Sequence, residues 1–395
     1  MHLTVTKDGF IKNLIKANLY WAMIAPIFLA IVLNLIQIQG LFILKDLIFY
    51  VSLVLIFFCG KTQNFIFFSL RLTLFILFLF TLTFFYDGFK GWMVYNLRQL
   101  IVPILIVCFG YYSNISLDSF YKLVKVYYKA SIYILLIGII FKEFDLWKVI
   151  DLSNYFNLKG IPVDSRGLSY MFYEPAFSYT ERLASTILDP ISLGHILAGA
   201  VIMCFYGIGI KGRKRWTYLF VLGIGLILTF SKGAILQVLL ALFFFNKNLP
   251  IKVRFLFPAL CIVLILSIIN IEGILIHMIG LHNAIVHMNL FGHGLGLVGN
   301  YAKMFADDLT TYEIFKISDT FIGSVLGQIG IIGLFIWLSF FSKYFTQTIL
   351  TKRTLVGATI IVSQLLVAAL SENTLNFTSF IIPGIFGGMM AAKRI

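Results

Sequence analysis

The sequence predicts an all-α polytopic membrane protein, and three observations predict it. Of the 395 residues, 60% are hydrophobic and only 12% are charged, and the mean hydropathy is +0.96. An ordinary soluble domain carries about 25% charged and about 45–50% apolar residues. Apolar runs long enough to cross a hydrocarbon core of about 30 Å as helix, roughly 20 residues each, recur along the whole chain. Lysine and arginine then gather between alternate pairs of those runs, which is how cytoplasmic loops are marked.

Taken in order, the runs place spans near 17–38, 41–60, 64–86, 92–112, 128–145, 190–210, 216–231, 233–246, 254–270, 319–341, 354–371 and 375–391, about 12 transmembrane helices in a single integral membrane domain, 1–395. Lys7, Lys12 and Lys16 precede the first apolar run, which has no cleavage-site pattern, so it is read as a retained span. With both termini cytoplasmic, the inner segments hold clusters such as Lys122, Lys125 and Lys129, then Lys211, Arg213, Lys214 and Arg215, then Lys343, Lys352 and Arg353. Their only acids are Asp8 and Asp118, whereas the outer segments hold more acids than bases. The net charge of +14 is therefore a topology signal, and a nucleic-acid partner is excluded. The spans 216–231 and 233–246 are short and joined through Ser231-Lys232-Gly233, but dropping one would invert the later charges.

Two outer segments, 146–189 and 271–318, are far longer than ordinary connectors. They are rich in Trp, Tyr, Phe, His and Gly, so they are expected to fold and to carry the chemistry. No internal repeat is evident, which argues against a transporter built from inverted halves. Cys59, Cys108, Cys204 and Cys261 all lie in apolar runs and read as small hydrophobes, with neither a disulfide framework nor a zinc site.

Several residues stand out chemically. Arg98, and with less context Arg71, lies inside a span, where an unpaired cation is expensive; it faces a cavity, an anionic partner or the headgroups. The first outer loop ends in Arg182 followed by Asp189-Pro190, the latter pair an N-cap and first-turn proline. Arg182 stands just before that helix start, where a guanidinium can meet a phosphate bidentately. The second loop carries His277, His282, His287 and His293. Their spacing does not stack on one helix face and no cysteine accompanies them, so a general base fits better than a metal site. His195 reads as a hydrogen-bonded interior histidine. The run Phe291-Gly292-His293-Gly294-Leu295-Gly296 lacks the strand and helix of a dinucleotide site and reads as a tight loop at the membrane surface. Trp147, Tyr155, Phe172 and Tyr173 are candidates for stacking on sugars or for anchoring at the interface.

In three stretches the chain resembles the bacterial O-antigen polymerase and O-antigen ligase family of membrane glycosyltransferases. They are Arg182-Leu183-Ala184-Ser185-Thr186 leading to Asp189-Pro190; Thr229-Phe230-Ser231-Lys232-Gly233-Ala234, similar to the family's Ser-Arg-Gly-Ala turn with lysine in place of arginine; and the stretch from His277 through Gly292-His293-Gly294 to Ser318-Asp319 and the span with Gly327 to Gly333. The resemblance implies a GT-C-like fold in the bacterial inner membrane and inverting transfer of glycan from an undecaprenyl-diphosphate-linked oligosaccharide donor at the outer face, without metal or sugar nucleotide. By that resemblance Arg182 neutralises the diphosphate and His277 is the base. Arg98, Glu174, Lys232, His282, His293 and Asp319 are then expected to bind substrate. A polymerase takes a second lipid-linked repeat unit as acceptor, for O-antigen or capsule, whereas a ligase takes lipid A-core. Ser318-Asp319-Thr320, where a ligase carries histidine, favours the polymerase. The resemblance also points to a flippase and a chain-length regulator as partners. A lipid-linked glycan transporter remains the alternative from another class.

Overall fold

The structure is a computed structural model and describes residues 7–36, 44–59, 63–86, 91–158, 161–254, 256, 271–296, 298, 320–349 and 356–393. The described residues are all-α apart from a hairpin with two residues in each strand and an isolated bridge between Val163 and Ser169. Each expected span holds a helix except 254–270, which lies almost entirely outside the described residues.

Helices α1 (Lys7–Leu35), α2 (Leu44–Cys59), α3 (Gln63–Tyr86), α4 (Gly91–Tyr112) and α5 (Leu117–Glu143) come first. Two short helices, α6 (Trp147–Ile150) and α7 (Ser153–Asn157), open the first long loop. Then follow α8 (Pro190–Phe205), α9 (Gly212–Leu228), α10 (Lys232–Leu239, continued as a π-turn over Leu240–Phe244) and α11 (Ile271–Val286). The chain closes with α12 (Phe321–Ser339), α13 (Ser342–Ile349), α14 (Val356–Val367) and α15 (Phe377–Lys393).

Among the described residues four stretches are long and apolar enough to cross a membrane: Lys7–Leu35, Ile66–Phe84, Leu117–Glu143 and Phe321–Ser339. Others, such as Pro190–Phe205 and Val356–Val367, are apolar but shorter. The longest helices exceed the expected spans because their polar ends are clasped together: the Asp8 carboxylate accepts from the Ser116 amide at 2.6 Å and from the Ser116 and Ser119 hydroxyls at 2.9 and 2.5 Å. Ser116 in turn caps α5 by accepting from the Ser119 amide.

The core is a helix bundle with α15 at its centre, packed on α4, α14 and α8. Hydrophobic transfer does not drive helices together in lipid, so close backbone approach through small residues has to do so. At Gly388 an added Cβ would lie 2.4 Å from the Val107 carbonyl oxygen, so α15 and α4 touch at a distance only glycine permits. The bundle's periphery is apolar: Ile66, Phe67, Leu70, Leu74, Leu77, Phe80 and Phe84 of α3 are all exposed, as a lipid-facing helix requires.

Candidate functional site where α8, α9 and α10 meet

The first long loop is folded, as its composition indicates, around its own small core. Trp147, Leu152, Tyr155, Phe156, Leu168 and Phe172 pack with Leu29 and Leu33 of α1. Trp147, Tyr155 and Phe172 are therefore buried, edge-on to neighbouring rings, and present no face to a sugar. Of the two roles the sequence left open for them, stacking on a sugar is not available: the loop needs these rings to hold itself against α1. The fourth, Tyr173, is half-buried and its hydroxyl donates to Asp164 at 2.5 Å.

The loop's second half is a hairpin, β1 (Tyr173–Glu174) against β2 (Thr180–Glu181), turned through Pro175–Phe177 and two left-handed residues, Ser178 and Tyr179. Arg166 braces it. Its guanidinium bonds Glu181 at 3.1 Å and the Tyr173 hydroxyl, with Asp145 3.5 Å away. Burial works against the charge of Arg166, but Tyr173 and Glu181 hold its pKa above the ordinary value. Burial and the bond to Asp164 push the Tyr173 hydroxyl up to about 12. Burial raises the Asp164 carboxyl, but bonds from Tyr173 and the Leu168 and Arg166 amides outweigh it and leave the pKa lowered. No periodic signal in the sequence marks this brace, in which Arg166 reaches Tyr173 seven residues on and Glu181 fifteen residues on.

Directly after β2, the chain delivers Arg182 to the C-terminal end of α9. The Arg182 amide donates to Phe172 O, and the Leu183 amide to Leu228 O at 3.0 Å. The side chain donates from Nε to Thr229 O at 3.0 Å and from Nη2 to Phe230 O at 3.4 Å. A cation at carbonyls freed by a helix end is well placed. Burial lowers the Arg182 pKa, opposed by the charges of Glu174 and Asp189. Phe230 is left-handed, with φ 48°, and its ring packs tilted against Phe177, so the α9–α10 junction is a sharp break between two helices.

Across that break Lys232, the first residue of α10, reaches Glu174 with an Nζ–Oε1 distance of 3.0 Å. Glu174 is buried; the Lys232 side chain is 41% exposed. Asp189 caps α8, accepting from the Ile191 amide at 2.9 Å and the Ser192 hydroxyl at 2.5 Å, with Pro190 at the first position, as the cap pattern predicts. The structure thus brings together Arg182, Glu174 and Lys232 where α8 begins, α9 ends and α10 begins. Two cations stand against one buried carboxylate and one capping aspartate.

Beneath this group runs a buried polar chain absent from the sequence reading. His195 Nδ1 bonds Gln237 Oε1 at 2.7 Å, Gln237 donates to Gln364 at 3.2 Å, and Gln364 donates to Ser379 O at 3.3 Å. Ser379 and Ser192 hydroxyls meet at 2.8 Å, and Ser192 returns to Asp189. His195 is interior, as expected, and it ties α8 to α10.

Arg98 pairs with the buried Asp46 of α2, through both Nε and Nη2. Of the options the sequence left open, the anionic partner is the one realised, and it comes from the protein itself. Lys45 lies within electrostatic reach of Asp46, Arg98 and Asp189, which links this pair to the α8 cap.

The second loop is placed differently. His277 sits on α11 with its side chain outside the described residues, and Asp319 lies outside them altogether. His282 and His287 are exposed. His293 is half-buried, its amide donating to Gly327 O at 2.8 Å and its Nε2 meeting His287 O at 2.8 Å. None of the hydrogen bonds that hold Arg182, Glu174, Lys232 and Asp189 reaches a histidine. The backbone of the glycine run, expected to be exposed, is packed inside the protein, which corrects that part of the sequence reading. Gly292, Gly294 and Gly296 are buried, at φ 78°, 105° and 84°. They lie backbone to backbone against a break in α12 at Gly330, about 14 Å into that helix, where φ is 69°. Ile331 and Ile332 amides, freed by the break, donate to Asn289 O and Leu290 O at 3.0 and 3.2 Å. A Cβ on Gly292 would sit 2.3 Å from Gln328 O, so only glycine fits.

Neither a protein-family model nor a curated protein sequence matches this chain.

Proposed function

We propose that this protein is a membrane polymerase of undecaprenyl-diphosphate-linked oligosaccharide repeat units, acting at the outer face of a bacterial inner membrane. The observation that carries the reading is the meeting of Arg182, Glu174 and Lys232 at one set of helix ends, at the close of the folded loop. Lys232 is presented to the outside and held by Glu174, while Arg182 is fixed on the α9 carbonyls beside it. A diphosphate needs two positive groups at a fixed separation near the membrane surface, and preorganised donors stabilise charge that develops as a leaving group departs.

In the proposed reaction the acceptor sugar hydroxyl attacks the anomeric carbon of the donor from the face opposite the diphosphate. A new C–O bond forms, the bond to the diphosphate oxygen breaks, and undecaprenyl diphosphate leaves with the electron pair. The hydroxyl proton passes to a base, for which we assign His277 by its family resemblance. His282, His293 and Asp319 are assigned to the acceptor side on the same ground. Arg98 is assigned a structural role, because it and its partner Asp46 are both largely buried, whereas Lys232 keeps much of its side chain exposed beyond its own pair with Glu174.

The reading includes twelve spans with both termini in the cytoplasm. It is supported by the helix directions: the ends of α4, α8 and α12 and the starts of α5 and α9 share the lysine- and arginine-rich side, opposite the folded loop. The test is reconstitution: purified protein in nanodiscs receives lipid-diphosphate-linked repeat unit alone, and the products are separated on a gel. A ladder of lengthening glycans is expected. Transfer only when lipid A-core is added would make the protein a ligase, and no transfer in either case would contradict the enzyme reading.

A further inference from the structure

At the opposite end of the bundle from the Arg182 group lies a cavity of about 380 Å³ between α3, α4, α12 and α13. Its size is that of a pocket for a small molecule or headgroup. Two of its lining residues are cations, Arg71 and Lys343, and none of its described lining residues is an acid. Arg71 donates to the Ser339 hydroxyl at 2.8 Å and its guanidinium lies 5.0 Å from the centroid of the Phe340 ring. Lys343 bonds the Tyr111 hydroxyl and lies 4.1 Å from the Tyr111 ring centroid. Hydroxyls and ring faces orient a cation but do not neutralise it, and each of these groups has donors to spare: five N–H on a guanidinium, three on an ammonium.

The depth makes this costly without an anion. Arg71 is eight residues into α3, about 12 Å along the helix, on an element whose exposed face is Ile66, Phe67, Leu70, Leu74 and Leu77. A cation at that depth pairs with an anion or lines a polar cavity. The same apolar face runs past the cavity mouth, where acyl chains would lie.

We propose that this cavity binds a phosphate group, with Arg71 and Lys343 as its two cationic ligands, and that the phosphate belongs to an anionic phospholipid whose chains pack along α3. The site is independent of the proposed transferase activity, because it shares no residue with the Arg182 group.

The test is native mass spectrometry of the delipidated full chain titrated with phosphatidylglycerol, with and without inorganic phosphate as competitor. The double variant Arg71→Gln/Lys343→Gln should retain the lipid at least about tenfold more weakly, as loss of charge-assisted hydrogen bonds implies. Arg71→Lys/Lys343→Arg should restore most of it and so separates charge from folding; Lys125→Gln, on α5, should change nothing. Displacement of the lipid only by other anionic lipids supports the lipid source. Displacement by millimolar inorganic phosphate supports the phosphate site and assigns it to a soluble phosphate instead. Equal retention by wild type and the double glutamine variant, with both monodisperse, overturns the proposal.

Discussion

Lys232 and Arg182 carry equal charge but differ in what else they hold, and this decides which is the cleaner probe. Arg182 satisfies two carbonyls at the end of α9 as well as facing Glu174 and Asp189. Arg182→Ala should therefore abolish polymer and also lower stability by about 1–3 kcal/mol, since carbonyls lose their donor. Lys232 makes one ion pair, partly in solvent. Lys232→Met and Glu174→Gln should each destabilise by about 1–2 kcal/mol, less than for a fully buried pair because Lys232 is partly screened. Their double variant should fall short of the sum; a thermal double-mutant cycle in detergent measures this, and strict additivity would dissolve the pair. These charged residues were readable from sequence because charge in an apolar chain is rare. The Asp189-Pro190 cap was readable because capping is local. The brace of Arg166, Asp164 and Tyr173 was not, because nothing in a loop's sequence says which of its charges meet.

At the scale of elements, two junctions organise the molecule: the folded first loop, and the pairing of the glycine run with broken α12. Asp164 has a lowered pKa in the folded loop, so its contribution is fully present above the unfolded carboxylate value, about 4, and is lost as pH falls through the folded value. Amide protection across 161–182, taken relative to the intrinsic exchange rate at each pH, should thus fall below about pH 4, and Asp164→Asn should show lower protection already at neutral pH. An acid response unchanged in that variant would remove Asp164 from the account. Gly292→Ala or Gly330→Ala should destabilise by about 3 kcal/mol or more, since each combines positive φ with a backbone clash. Gly223→Ala, in α9 with nothing within 4 Å, should be neutral or stabilising by about 0.5–1 kcal/mol. Melting temperatures of the three compare them directly. The glycine spacing was visible in the sequence; its partner was not, because backbone pairing with a helix break leaves no side-chain pattern. The role of the loop aromatics stayed open in the sequence for a related reason: composition cannot tell a ring that faces a ligand from one that fills a small core.

For the whole molecule, the apolar runs located the helices well, since hydropathy and length are what a bilayer demands of them. The twelve crossings we propose rest on charge alternation, and that is open to a direct check. In a cysteine-free background, a membrane-impermeant thiol reagent applied from outside should label Tyr179→Cys, in the exposed hairpin turn, and should leave Lys125→Cys unlabelled until the membrane is opened. The reverse pattern would invert the topology and take the Arg182 group off the outer face. If this group stabilises a departing diphosphate, as we propose, the release of undecaprenyl diphosphate followed by mass spectrometry reports it. Wild-type protein should release one undecaprenyl diphosphate for each repeat unit joined, and Lys232→Gln should slow that release by about 100-fold, the scale of removing one preorganised donor. Release at the wild-type rate from a folded Lys232→Gln protein, or glycan growth without release, would contradict the account.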